Sequence, residues 1–270
     1  QPLSLFLLIV VCLSALLTVG VLLFLIGYIL VNGIPNIKPE LFEWEYNTDN
    51  VSMLPSMINT LYMTGLTLLM AVPVGVFSAI YMVEYAKRGS KLVKIVRTTT
   101  ETLQGIPSIV YGLFGYLMFV IGCHWGYTLM AGAITLAIMV LPVIMRTTEE
   151  ALLSVPDSYR EGSFGLGAGR LRTVFVIVLP SAMPGIFSGI ILAIGRIVGE
   201  TAALIFTAGT VATAATGVMD STRTLAVHMY CLLSEGLYMK QAYATAVVLL
   251  VMVLVINAIS GMIAKKFTKK

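Results

Sequence analysis

The sequence predicts an all-α membrane protein with six transmembrane helices, and three observations lead there. Of its 270 residues, 58% are hydrophobic and only 11% charged, with a mean hydropathy of +0.95. Soluble domains carry about 25% charged residues. Several apolar runs exceed the roughly 20 residues that a helix needs to cross the hydrocarbon, whereas barrel strands would alternate and be about half as long. Basic residues, finally, concentrate on alternate connecting segments, as the positive-inside rule expects of a multi-pass chain.

The six spans fall at roughly 4–31, 57–83, 105–122, 128–145, 185–208 and 241–264. The first is too long an apolar run for the core of a signal peptide and is expected to stay uncleaved. The chain begins at Gln1 rather than at a methionine, which allows for a segment upstream. Before the second span, segment 32–56 carries Glu40, Glu43, Glu45 and Asp49. The third span is interrupted by Gly105, Pro107, Gly112 and Gly115, which a membrane tolerates only where neighbouring helices or a cavity satisfy the freed backbone. Gln104, Ser108 and Tyr111 are polar residues at this span, and Thr201 at the fifth; each is a candidate to line a path, with helix packing or backbone bonding as the alternative. The chain thus divides into an N-terminal helix with its external segment (1–56), a transmembrane domain (57–264) and a basic tail (265–270).

Charge sets the orientation. Loop 84–104 holds Lys87, Arg88, Lys91, Lys94 and Arg97, and loop 146–184 holds Arg146, Arg160, Arg170 and Arg172. With Lys265, Lys266, Lys269 and Lys270 of the tail, thirteen of seventeen basic residues share one side. Lys38, Arg223 and Lys240 lie on the other, and Arg196 inside a span. Both termini are therefore expected in the cytoplasm. Glu84 and Tyr85, ending the second span beside Lys87 and Arg88, read as an interfacial anchor.

Several function classes drop out. A net charge of +4 suggests no nucleic-acid partner. Cys12, Cys123 and Cys231 show no paired spacing and read as plain thiols. His124 and His228 are expected near the outer surface, without the spacing of a metal site. The fifteen methionines read as packing. No phosphate loop of the form G-x-x-x-x-G-K-[ST] occurs, so this chain is not expected to hold ATP with its Mg, and no cofactor is expected in it.

Residues 150–180 read "EALLSVPDSYREGSFGLGAGRLRTVFVIVLP". Ser154 with Asp157 three residues on predicts a capping-box-like start, with Pro156 in the first turn. One short helix should run to about Phe164, Gly165, Gly167 and Gly169 should allow a turn, and a second helix from about Arg170 should end before Pro180. The result would be a compact knob, either a structural interfacial hairpin or a coupling element. Here the chain resembles the permeases of bacterial ABC importers, whose cytoplasmic motif is EAA, three residues, Gly, nine residues and Ile-x-Leu-Pro. Glu161, Gly162 and Ser163 are followed by three residues and Gly167, then by nine residues and Ile177-Val178-Leu179-Pro180. Gly162 and Ser163 in place of two alanines are a mild departure that keeps the site small and lowers helix propensity. The resemblance implies a type I importer (MetI-like) permease fold, no enzymatic activity in this chain, and a role for Glu161 and Gly167 in coupling to an ATPase.

Further stretches resemble the phosphate-importer permeases of the PstA and PstC type. They are 53–86, 105–115 ("GIPSIVYGLFG"), 155–170, 179–204 (ending "AIGRIVGETAAL") and 224–250. The last, and "LIGYILVNGIPNI" at 25–37, look more like PstA. The resemblance implies inorganic phosphate as substrate and the bacterial plasma membrane, with its lipid, as location. It also implies a heterodimer with a PstC-type permease, two copies of a cytoplasmic ATPase, and an extracytoplasmic phosphate-binding protein.

The residues agree. Arg196 lies about 16 Å along a helix starting near Gly185, close to mid-depth in a core of about 30 Å. A central arginine costs roughly 2.5–3.5 kcal/mol on insertion scales and faces a bundle interior or aqueous path. Its planar fork of donors matches two phosphate oxygens. The alternative is that Arg196 and Glu200 neutralise each other at i and i+4, in the less favourable order for such a pair. Glu200 would then hold Arg196, or would accept a hydrogen bond from a phosphate P–OH that sulfate lacks. A permease for molybdate or sulfate, a proton-coupled carrier using Arg196 and Glu200, and a signalling subunit are the other functional readings.

Overall fold

A computed structural model describes residues 2–87 and 89–268. Gln1, Arg88, Lys269 and Lys270 lie outside the described residues, so three of the basic positions above have no structural account. Among the described residues every regular element is helical. Five helices are long and apolar enough to cross a membrane, and one helix pair, bent by 106° at a short break, passes the same test only when taken together.

Helix α1 (Pro2–Gly33) stands apart from the rest, with its described side chains exposed along the apolar run. It meets the bundle at its end, where a Cβ on Gly33 would strike Tyr243 and Val247 of α11 (Met239–Thr268). Helix α2 (Leu54–Ile80) begins with Pro55 in its first turn, where a missing N–H costs nothing, and runs on through a wide turn at Tyr81–Tyr85. Segment 84–104 is not a plain loop. Helix α3 (Lys91–Gln104) fills most of it, with Leu92 and Ile95 exposed among its lysines. It lies at 106° to the segment Ser108–Gly122, which opens with α4 (Ser108–Gly115). Gly105 and Pro107 are thus the hinge before the third span rather than breaks inside it, because the residue before a proline is pushed out of the helical region.

Helix α5 (Leu129–Leu153) is the axis of the bundle. Thr128 caps it, its Oγ1 accepting the Ala131 N–H at 3.1 Å. Met63 and Ala71 of α2, Leu136, Val140 and Ile144 of α5, and Ala193 and Ile197 of α8 (Leu179–Gly199) form one buried cluster. Within lipid there is little water to expel, so close approach at small residues carries such packing. A Cβ on Gly75 would lie 2.7 Å from Ile144, and one on Gly185 2.6 Å from Ala151; Gly189 sits against Thr147.

Three expectations for 150–208 are corrected. Ser154 does not cap the next helix: it ends α5, its Oγ donating to the Ala151 carbonyl at 2.8 Å, and α6 (Asp157–Gly165) follows Pro156. The second short helix does not end before Pro180. Helix α7 (Arg170–Thr173) passes through a wide turn at Val174–Val178 into α8, giving one rod from Arg170 to Gly199. Pro180 falls at the start of α8, just after that wide turn, where the usual ladder is already interrupted. The fifth span is not one helix over 185–208. Helix α8 stops at Gly199, Glu200 takes an extended conformation (φ −72°, ψ 131°), and α9 (Ala202–Thr207) restarts beyond it. Helix α10 (Leu225–Glu235) and α11 complete the chain.

Candidate functional site

The break in the fifth span lies deep in the bundle. Gly185 packs on Ala151 and Gly189 on Thr147; extending this antiparallel register puts Arg196 level with about residue 140, midway along α5. Arg196 occupies the last turn of α8 and is half-buried. Among the described residues it pairs with no carboxylate. Glu200 is 9% exposed, and its Oε1 accepts the Ala203 N–H at 3.1 Å. The extended backbone at Glu200 removes the i, i+4 relation to Arg196, and the carboxylate caps α9 instead. Non-helical backbone at this depth survives only where protein or a cavity satisfies it, and Glu200 supplies part of that satisfaction.

The other predicted path residues divide. Tyr111 is buried within electrostatic reach of Arg196, and its hydroxyl donates to the Leu103 carbonyl at 2.8 Å. Gln104 donates to the Pro142 carbonyl at 3.2 Å, joining the α3–α4 hinge to the middle of α5. Thr201 is half-exposed at the break, its Oγ1 3.4 Å from the Gly199 carbonyl, and Ser108 is half-buried in the first turn of α4. Gly112 and Gly115 let α4 touch α9: a Cβ on Gly112 would lie 2.8 Å from Ala203, and one on Gly115 2.7 Å from Thr207. Helices α4 and α9 are therefore in direct contact beside the break.

The knob is present. Gly167 turns the chain with φ +83°, a conformation only glycine adopts without strain. Glu161, Gly162 and Pro180 are exposed, with open space around Gly162. Ser163 is buried, and its hydroxyl shares a 2.8 Å hydrogen bond with Thr173, so the serine that departs from the EAA pattern ties α6 to α7. Tyr159, Phe164, Leu166 and Leu171 stand exposed on the knob, Leu166 at 91%.

Two clusters went unseen in the sequence. Arg160 of α6 reaches Glu84 at the end of α2, with Nη2 to Oε1 at 2.7 Å, and also donates to the Val155 and Leu152 carbonyls. Near the acidic 37–53 segment, Arg223 lies over the Tyr46 ring at 4.6 Å, and Tyr46 meets His228 edge-on at 6.1 Å. His228 is wholly buried, packed edge-on against Tyr46 of that segment. Both pairings join residues far apart in the chain; Tyr46 and Arg223 had no local signal, whereas Glu84 was marked by its place at a span end.

Residues 71–270 match the family described as "Binding-protein-dependent transport system inner membrane component". The chain belongs to this family. The permease is 36% identical over 284 residues to the "Probable ABC transporter permease protein YqgI" of Bacillus subtilis (strain 168), covering 95% of this chain and 94% of that protein. It is 35% identical over 182 residues to the "Phosphate transport system permease protein PstA" of Haemophilus influenzae, covering 67% of this chain and 64% of that one. Its fold matches a permease chain of the MetNI methionine ABC transporter in an inward-facing conformation, with TM-score 0.63, 21% identity, and coverage of 79% and 93% of the two chains. The permease is thus a multi-pass membrane subunit of an ABC importer with a MetI-like type I fold, in a family whose permease subunits are not themselves catalytic.

Proposed function

We propose that this permease imports inorganic phosphate as one half of a translocation path, paired with a PstC-type permease. Both termini lie in the cytoplasm, where the 150–180 knob seats on one of two ATPase copies, and an extracytoplasmic phosphate-binding protein delivers the substrate to the opposite side. The observation that carries the reading is Arg196, a half-buried guanidinium at mid-depth, unpaired with any described carboxylate, beside a break in its own span. A guanidinium so placed presents a fork of donors to two oxygens of a tetrahedral anion. The likeness to relatives named phosphate transport system permease protein PstA supports phosphate as that anion. Closure of the ATPase dimer on ATP would move the knobs and, through the α7–α8 rod, the helix turn that carries Arg196.

Phosphate uptake into proteoliposomes containing all partners tests this, comparing wild type with Arg196→Lys. The lysine keeps the charge and loses the fork, and uptake is expected to fall by roughly tenfold or more. Full uptake with lysine would remove the guanidinium from the mechanism. The fork fits sulfate or molybdate equally well, so competition by those anions decides between phosphate and another oxyanion. A proton-coupled carrier is disfavoured because Glu200 caps α9 and does not pair with Arg196; uptake without ATP would revive it.

A further inference from the structure

Arg223 is 5% exposed and His228 0%. Nε and Nη2 of Arg223, both ring nitrogens of His228, Oγ1 of Thr224 and Oγ of Ser56 are buried without a hydrogen-bond partner. These residues adjoin: the Asn59 amide donates to the Arg223 carbonyl at 3.3 Å, and Thr60, one turn beyond Ser56, accepts the Leu225 N–H at 2.8 Å. Helix α10, eleven residues long, starts beside this cluster without a side-chain cap from Thr224, and Thr60 takes its first N–H, that of Leu225. Among the described residues no carboxylate pairs with Arg223.

A buried guanidinium without a counter-charge is costly. The Tyr46 ring at 4.6 Å offsets part of that cost through its π face, but it accepts no hydrogen bond in the plane of the fork. Tyr46 also lines a cavity of about 430 Å³, with Trp44, Tyr62 and Thr213 among its walls. The Tyr46 side chain is thus shared by that cavity and the unmatched set of donors. Glu45 lines the cavity too, but it is exposed and its field is screened.

We propose that Arg223, His228 and the first turn of α10 form a second anion site, on the acidic-segment side of Arg196, taking a small tetrahedral oxyanion that displaces the Tyr46 ring. Arg223 offers two N–H groups to two oxygens. A neutral His228 donates from one nitrogen and accepts a P–OH at the other. The start of α10 adds the positive end of its dipole. The site rests on the phosphate reading only for the choice of probe.

The test measures binding of inorganic phosphate by equilibrium dialysis to the assembled importer without its binding protein. Arg196→Met serves as background, so that the mid-membrane guanidinium does not contribute. Saturable binding is expected to persist there, to fall roughly tenfold on adding Arg223→Gln, and to rise severalfold on adding Tyr46→Leu, which uncovers the arginine. No saturable binding with Arg196→Met alone overturns the proposal, as does equal binding with Arg223→Gln. Should Arg223→Gln fail to assemble, the Tyr46→Leu arm decides, and unchanged or weaker binding overturns the site. A carboxylate of a neighbouring chain filling the cluster would appear as no anion binding and would also overturn it. Sulfate is dialysed in parallel: Arg223-dependent binding of sulfate in preference to phosphate leaves the site standing and tells against phosphate as the cargo.

Discussion

Arg160 and Glu84 form an ion pair with their side chains only 14% and 8% exposed, linking the knob to the end of α2 across 76 positions of sequence. Arg160 also holds the Val155 and Leu152 carbonyls at 2.8 and 2.9 Å. A movement of α6 therefore reaches α2 through one side chain with no slack. Arg160→Met should strand Glu84 and cost about 3–5 kcal/mol, read as a lowered Tm in detergent. The swapped pair Glu84→Arg with Arg160→Glu should not restore it, since a carboxylate cannot donate to the two carbonyls. Recovery in the swap would reduce the link to simple charge pairing.

Gly167 turns the knob at φ +83°, with nothing near its missing side chain. Gly167→Asp should therefore meet backbone strain of about 1–2 kcal/mol rather than a clash. The protein should remain in the membrane while ATPase co-purification or coupled uptake falls. Full transport in this variant would separate the turn from coupling.

Glu200 accepts the Ala203 N–H and so starts α9. Glu200→Gln keeps an acceptor oxygen and should hold the free energy of unfolding within about 0.5 kcal/mol of wild type, whereas Glu200→Ala should lose about 1 kcal/mol or more, as lost caps do. If the cap is the whole role, Glu200→Gln also transports phosphate and excludes sulfate as wild type does. A selective loss of that exclusion would assign the carboxylate to substrate instead.

Burial, with the positive charge of Arg223 adding to it, pushes the His228 imidazole from 6.5 down to about 3. The unfolded chain takes up a proton below about 6.5, and the folded one refuses it. Stability from this group is complete above 6.5 and is lost as pH falls towards 3, at about 1.4 kcal/mol per unit. Thermal unfolding between pH 7 and 5 should show the decline, and His228→Gln should flatten it.

The spans were legible because hydrocarbon imposes one demand on every residue of a run, and hydropathy records it. The knob was legible because Gly167 and the residues around it act locally. The break at Glu200 was not, since the apolar residues of 185–208 run on either side of it and hydropathy does not tell a broken helix from a continuous one; the signal available was Gly199 followed by Thr201, a stop and start in helix grammar. The pairing of Arg196 with Glu200 failed with it, because i, i+4 geometry presumes an unbroken helix. Arg160–Glu84 and Arg223–Tyr46 depend on which helix ends meet in space, and periodicity carries no such information.

Helix α1 touches the bundle chiefly near Gly33 and otherwise shows its side chains to the surroundings. A surface that meets only acyl chains has no shape to match, so one apolar residue there serves as well as another. Drift in such a segment is bounded by oiliness alone, while α5 answers to fit at every turn. The demands on the two helices thus differ in kind: one is held by solubility in hydrocarbon, the other by shape.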